Sequence, residues 1–185
     1  MVNNLYAQRD INVAQGNLYV TNSYNSAKVT SLIADVVNSL SNISFPSPNV
    51  NDKIKLPLEV EEKIKLNNLK SCRFIIEEYR HFFSNLDSIY ADLTNFKISA
   101  KEKVLHRLRN AYIEELGNYL NNNCSKLDVV KANADNIFMG IKNKIKDIVI
   151  FSSNNESSEE EIDIAINIVL ADAFVNCQIM ESEVE

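Results

Sequence analysis

The side chains able to do chemistry are few and scattered. His81 and His106 stand on separate predicted helices, His81 beside Arg80 and His106 among Arg107 and Arg109. A metal pair on one helix needs histidines one turn apart, and a nucleophile–base pair needs a Ser or Cys within reach of an imidazole. Neither arrangement assembles from the sequence, so both histidines read as structural or surface groups. Glu77–Glu78 and Glu114–Glu115 could supply paired carboxylates to a divalent metal across facing helices, and the plainer reading is solvated helix charge. No phosphate-cradling glycine loop and no nucleophile elbow is present; with 3 glycines in 185 residues there is little material for either. The expectation is a protein with no catalytic residue, no metal and no cofactor.

Cys72, Cys124 and Cys177 are an odd number and contain no C-x-x-C spacing. Cys72 and Cys177 fall on apolar stripes, where a free thiol behaves as a small hydrophobe, so both are expected to be buried. The beginning of the chain has no basic stretch followed by an apolar core, and no apolar run has the ~20 residues of a membrane span. A soluble protein of the reducing cytoplasm is expected.

Charge is distributed unevenly. Residues 152–185 hold nine acidic residues and no Lys or Arg, so they carry -9 of a net -6 and leave +3 on residues 1–151. That is a poor profile for DNA, because phosphate contact requires concentrated cations. Lys142, Lys144 and Lys146 are the candidate nucleic-acid contact; the simpler reading is a solvated helix face.

The elements that must position these groups are mostly helical. In residues 9–22, Ile11, Val13, Leu18 and Val20 alternate with polar residues about a Gly-containing turn, a short β-hairpin signal. Such a hairpin is marginal alone and must lean on the body or on another chain. Ser26 can cap a helix carrying Val29, Leu32, Ile33, Val36, Val37 and Leu40. All three prolines fall between Ser44 and Pro57, marking a linker. Beyond it, Leu69, Cys72, Ile76, Tyr79, Phe83, Leu86, Tyr90 and Leu93 step by three and four without a break. Ser99 with Glu102, and Ser158 with Glu161, are capping-box pairs, and Ser125 opens a helix between them. The last helix, about Glu159 to Val175, is apolar almost all round and belongs at the centre of a bundle or in an interface. Asp172 interrupts it between two alanines and is expected to pair with a Lys or Arg from another helix. The fold predicted is an all-α bundle of about five to six helices with a β-hairpin appendage. Its divisions are a hairpin arm (1–24), a first helix and linker (25–56), the bundle (57–181) and an acidic tail (182–185).

Two strings resemble a known family. One is Val60-Glu61-Glu62-Lys63-Ile64-Lys65-Leu66-Asn67-Asn68-Leu69-Lys70, followed by Ile75-Ile76-Glu77-Glu78-Tyr79; the other is Val169-Leu170-Ala171-Asp172-Ala173-Phe174-Val175-Asn176-Cys177-Gln178-Ile179-Met180-Glu181. Their order and spacing resemble the C-terminal domains of effectors in bacterial ABC-three-component conflict systems, which are related to Lamassu anti-phage defence. The resemblance covers residues 57–181. It implies an interaction module that couples an effector to an SMC-like ABC ATPase and a small middle component. The expectation is an effector on a separate chain, a free-standing accessory subunit or an excised domain, since no nuclease or protease sequence is found ahead of the module.

The function expected is therefore a non-enzymatic interaction or oligomerisation module. A homo-oligomer is expected because the apolar faces are more than one small bundle is expected to saturate. The contact residues expected are Ile11, Val13, Leu18 and Val20 of the hairpin with Val29, Leu32, Ile33 and Val36 of the first helix. A nucleic-acid-binding accessory subunit and a metal-dependent helical enzyme remain as alternatives.

Overall fold

A computed structural model describes residues 29–44, 56–120 and 124–182. Among them are seven α-helices: α1 (Leu32–Ser41), α2 (Leu58–Asn67), α3 (Arg73–Tyr79), α4 (Phe83–Thr94), α5 (Ala100–Gly117), α6 (Lys126–Ile150) and α7 (Glu159–Val175). A 3₁₀ turn at Arg80–Phe82 joins α3 to α4, so the seven form six rods. There is no strand among the described residues, and the predicted hairpin with Ile11, Val13, Leu18 and Val20 lies outside them.

The unbroken three–four stepping from Leu69 to Leu93 is therefore carried by two helices with a 3₁₀ turn between them. The backbone tightens at Tyr79 and again at Phe82. A 3₁₀ turn stacks residues three apart, and the rings of Tyr79 and Phe82 lie with centroids 6.3 Å apart. The apolar stripe continues across the turn: Leu69, Cys72, Ile76, Leu86, Ile89 and Tyr90 are all buried.

At the centre stands α7, in contact with α1, α3, α4, α5 and α6. Ten of its residues are buried, from Ile162 to Phe174, because its apolar side chains cover the whole circumference and only enclosure removes them from water. Its start is fixed by the expected capping box: the Ser158 hydroxyl accepts from the Glu161 N–H, and the Glu161 carboxylate accepts from the Ser158 N–H. At its end, Cys177 N–H donates to Phe174 O and Gln178 N–H to Ala173 O, with Cys177 at φ 56°. These paired bonds are the usual left-handed helix terminator, with Cys where Gly is commoner. Cys177 is thus exposed rather than buried, because the helix stops before its stripe can carry it inward; Cys72 is buried as expected.

Two further expectations change. The first helix begins at Leu32 behind Ser31, and Ser26 lies outside the described residues. Ser31 holds the N-cap position without a side-chain cap bond, and Asn154, from the loop between α6 and α7, fastens it by accepting from Ser31 N–H at 2.8 Å and donating to Ser31 O at 2.9 Å. Ser99 does precede α5, but in a left-handed conformation (φ 59°) and with no hydroxyl cap bond, so the Ser99–Glu102 capping box is not formed.

The connections α4–α5, α5–α6 and α6–α7 bring successive helices side by side. Lys146 pairs with Glu159 and Lys142 with Asp163, so α6 and α7 run antiparallel. At Gly140 on α6, a Cβ would meet Glu115 Cδ and Oε1 at 2.4 Å; the missing side chain lets Glu115 lie against α6 and reach Lys144 at 3.4 Å.

Leu170 is fully buried at the middle of this arrangement. Leu170→Ala should lower unfolding free energy by about 2–5 kcal/mol, read from the urea midpoint, the range for deleting a leucine from a tightly packed core. A loss below about 1 kcal/mol would mean that α7 is not the packed centre.

Candidate functional site

Two of the buried polar residues, Lys63 and Asn67, meet the C-terminal end of α7 and the segment after it. Lys63 of α2 is 5% exposed, its ammonium donating to Phe174 O at 2.6 Å and Ile179 O at 2.9 Å while lying 4.4 Å from the centre of the Phe174 ring. A helix C-terminus presents unpaired carbonyls and the negative end of the dipole, so a cation there is well placed. Burial pushes the Lys63 pKa down to about 8, against the opposing influence of the Cys177 thiol and of Glu181. One turn on, Asn67 is fully buried; it donates to Glu181 O at 2.7 Å and accepts from Glu181 N–H at 2.9 Å. The Glu181 carboxylate accepts from the Tyr112 hydroxyl and pairs with Lys126 at 2.8 Å. Burial alone would raise the Glu181 pKa, but the bonds from Lys126 and Tyr112 prevail and hold it below the usual value. Residues 176–181 are thereby strapped across α2, α5 and α6.

A second clamp fixes the entry to α3. The Asp135 carboxylate accepts from the backbone N–H of Lys70, Ser71 and Cys72 at 3.2, 3.1 and 2.9 Å. Burial opposes the charged form, and the three N–H bonds overcome it, so the Asp135 pKa is lowered. Just before it α6 kinks at Asn133, whose φ of -127° departs from the helix.

Lys63, Asn67 and Asp135 were not singled out from sequence, although the signal existed for two of them. Val60, Lys63, Ile64 and Asn67 share one face of α2 at three–four spacing, so Lys63 and Asn67 sit in an apolar stripe. Asp135 depends on a loop some 60 residues away, which no local pattern reveals.

Asp172 is 4% exposed. Instead of the expected cation, it has the Asn176 amide, which donates to Oδ1 at 2.9 Å; Oδ2 has no hydrogen-bond partner among the described residues, and neither does the buried Tyr90 hydroxyl. The nearest ammonium in influence, Lys101, is bonded to Asp87 at 2.7 Å and lies 5.6 Å from the Tyr90 ring centre. Burial raises the Asp172 pKa to about 6, Lys101 opposing and Asp87 adding to the rise.

The remaining candidates are engaged with neighbours. Lys142, Lys144 and Lys146 each face carboxylates, respectively Asp163, Glu114 with Glu115, and Glu159 with Asp163. Glu77 pairs with Arg73, and Glu114 with Arg107 and Lys144. Glu78 and His81 do have Glu-x-x-His spacing, but both side chains are exposed on either side of the α3 end. No group of three or more His, Cys, Asp or Glu able to hold a metal occurs among the described residues.

Of the expected contact residues in α1, Ile33 and Val36 are buried inside the bundle and Leu32 is half-buried against it, because α1 packs on α4, α5, α6 and α7; only Val29 is exposed. The large exposed apolar side chains lie elsewhere and include Leu58, Phe74, Phe96, Ile98 and Phe151.

A family model, C-terminal domain 10 (CTD10) of the ABC-three component (ABC-3C) systems, matches residues 31–181. The chain belongs to this CTD10 family. Comparison with curated proteins and with solved structures gives no match. The two limits of the CTD10 match coincide with structural fastenings. Ser31 is held by Asn154, and Glu181 by Asn67, Tyr112 and Lys126. The match therefore begins at α1 rather than at residue 57, in keeping with the burial of α1 in the same core.

The environment of Asp172 makes stability depend on pH. Its folded pKa of about 6 lies above the ~3.9 of an unfolded aspartate, so its favourable contribution is complete below ~3.9 and is lost as pH rises through about 6. Asp172→Asn should therefore be more stable than the natural protein at pH 7.5, by roughly 2 kcal/mol, with the gap closing toward pH 4. Urea unfolding at the two pH values checks this; an equal loss of stability at both would contradict it.

Proposed function

We propose that this CTD10 domain is a non-enzymatic interaction module of a prokaryotic anti-phage defence complex, coupling an effector to an SMC-like ABC ATPase and a middle component. The observation that carries this reading is the CTD10 match over residues 31–181, nearly all of the described bundle. The side chains support it. Lys63, Asn67 and Asp135 are bonded to backbone groups, and Glu181 to Tyr112 and Lys126, in the manner of structural clamps rather than of a nucleophile with its base. The surface meanwhile keeps large apolar side chains, Leu58 and Phe74 among them, of the kind that anchor protein contacts.

The accessory nucleic-acid reading is weakened by the pairing of Lys142, Lys144 and Lys146 with carboxylates, which offsets the charge that would meet phosphate. Self-association loses much of its motive as well. The faces that looked surplus, along α1, the α3–α4 rod and α7, cover one another within the chain.

Co-expression of the full chain with the ATPase and middle component of its own system, followed by sizing with light scattering, tests the proposal. A stoichiometric complex at micromolar concentration is expected. Elution of the chain alone at its own 21.0 kDa, with the other two components together, would refute the coupling role.

A further inference from the structure

We infer that one end of the bundle is a docking surface for the chain's own N-terminal segment, residues 9–22, bound through its alternating apolar side chains. Four large apolar side chains crowd this end while remaining mostly in water: Val29 (76% exposed), Phe96 (89%), Ile98 (81%) and Phe151 (68%). They come from three separate stretches of chain, brought together by a polar clasp. Ser153 N–H donates to Val29 O at 3.1 Å, which sets the end of α6, with Phe151, beside the start of α1. Asn154 bonds Ser31 and, at 2.8 Å, Asp35; Asp35 in turn pairs with Lys97, which stands between Phe96 and Ile98. The clasp satisfies its own polar groups and leaves the four apolar side chains around it uncovered. Large apolar side chains exposed on stretches bonded to one another at one end of the bundle are the kind of surface that binds a partner segment.

The occupant is indicated by where the chain enters. Residues 1–28 join the described fold at Val29, itself one of the four exposed residues. Val20, the last apolar residue of the alternating segment, is nine positions away, a reach of up to ~30 Å for extended chain. The segment can therefore lie anywhere on this end. Ile11, Val13, Leu18 and Val20 alternate so that one face of a hairpin is apolar, and such a hairpin needs a surface to be stable. A tether this short gives a local concentration in the millimolar range, so docking within the chain prevails over capture by a second copy at micromolar concentration. The inference is independent of the coupling role proposed above.

The test uses the full chain with photo-reactive benzoylphenylalanine in place of Phe96. An equal mixture of ¹⁵N-labelled and unlabelled protein is irradiated and the cross-linked peptides are mapped. Cross-links into residues 9–22, joining peptides of the same isotopic label, are expected. They should fall at least fivefold in a V13D/L18D variant whose circular dichroism matches that of the parent. Cross-links of mixed label would assign the surface to a second copy and overturn the inference. So would cross-links confined to residues 29–182, an absence of cross-links, or a yield unchanged in the variant.

Discussion

A helix that is apolar around its whole circumference can be stable in water only when other helices surround it, and α7 imposes that demand on the rest of the chain. Five of the other helices pack directly on it, and the sixth, α2, reaches its C-terminal end through Lys63. The α3–α4 rod meets the same demand, since α3, α4 and the 3₁₀ turn between them all touch α7. Fully buried residues such as Ile166, Leu170 and Phe174 are thus removed from water within one small chain.

Enclosure creates a second problem at the ends of α7, where backbone groups lose water without gaining helical partners. The two ends are resolved differently. The start lies near the surface and is closed locally by Ser158 and Glu161. The end is deep, and its Phe174 carbonyl, with that of Ile179 just beyond, is met by the ammonium of Lys63, while Asn67 and Tyr112 fasten the segment that follows. A buried lysine held by two carbonyls gives positional specificity: removing it would take the ammonium from Ile179 O and leave Phe174 O with the bond from Cys177 N–H alone. These polar clamps belong to the architecture and leave the outer surface to carry function.

Much of this architecture was legible because it is written in local patterns. The stripe from Leu69 to Leu93, the caps at Ser125 and Ser158, and the all-round apolar character of α7 each follow from side chains close in sequence. What escaped depends on distant partners. Asp135 acts on residues 70–72, and Asn154 fastens Ser31 from more than 120 positions away. The same distance effect removed Ile33 and Val36 from the contact surface, since periodicity shows that a helix has an apolar face but not what covers it. Lys63 lay within a string that resembled the family, yet its role became visible only with α7 in place. Asp172 was marked by its setting between two alanines, and its burial follows from the central position of α7.

If the bundle depends on enclosing α7, that helix is the last element to open. Native-state hydrogen exchange under increasing denaturant measures this directly. Amides from Ile166 to Phe174 should exchange only through global unfolding, with an opening free energy equal to that from urea and a full dependence on denaturant. Exchange of these amides through a smaller opening, while α4 or α6 stays protected, would show that the bundle does not depend on enclosing α7.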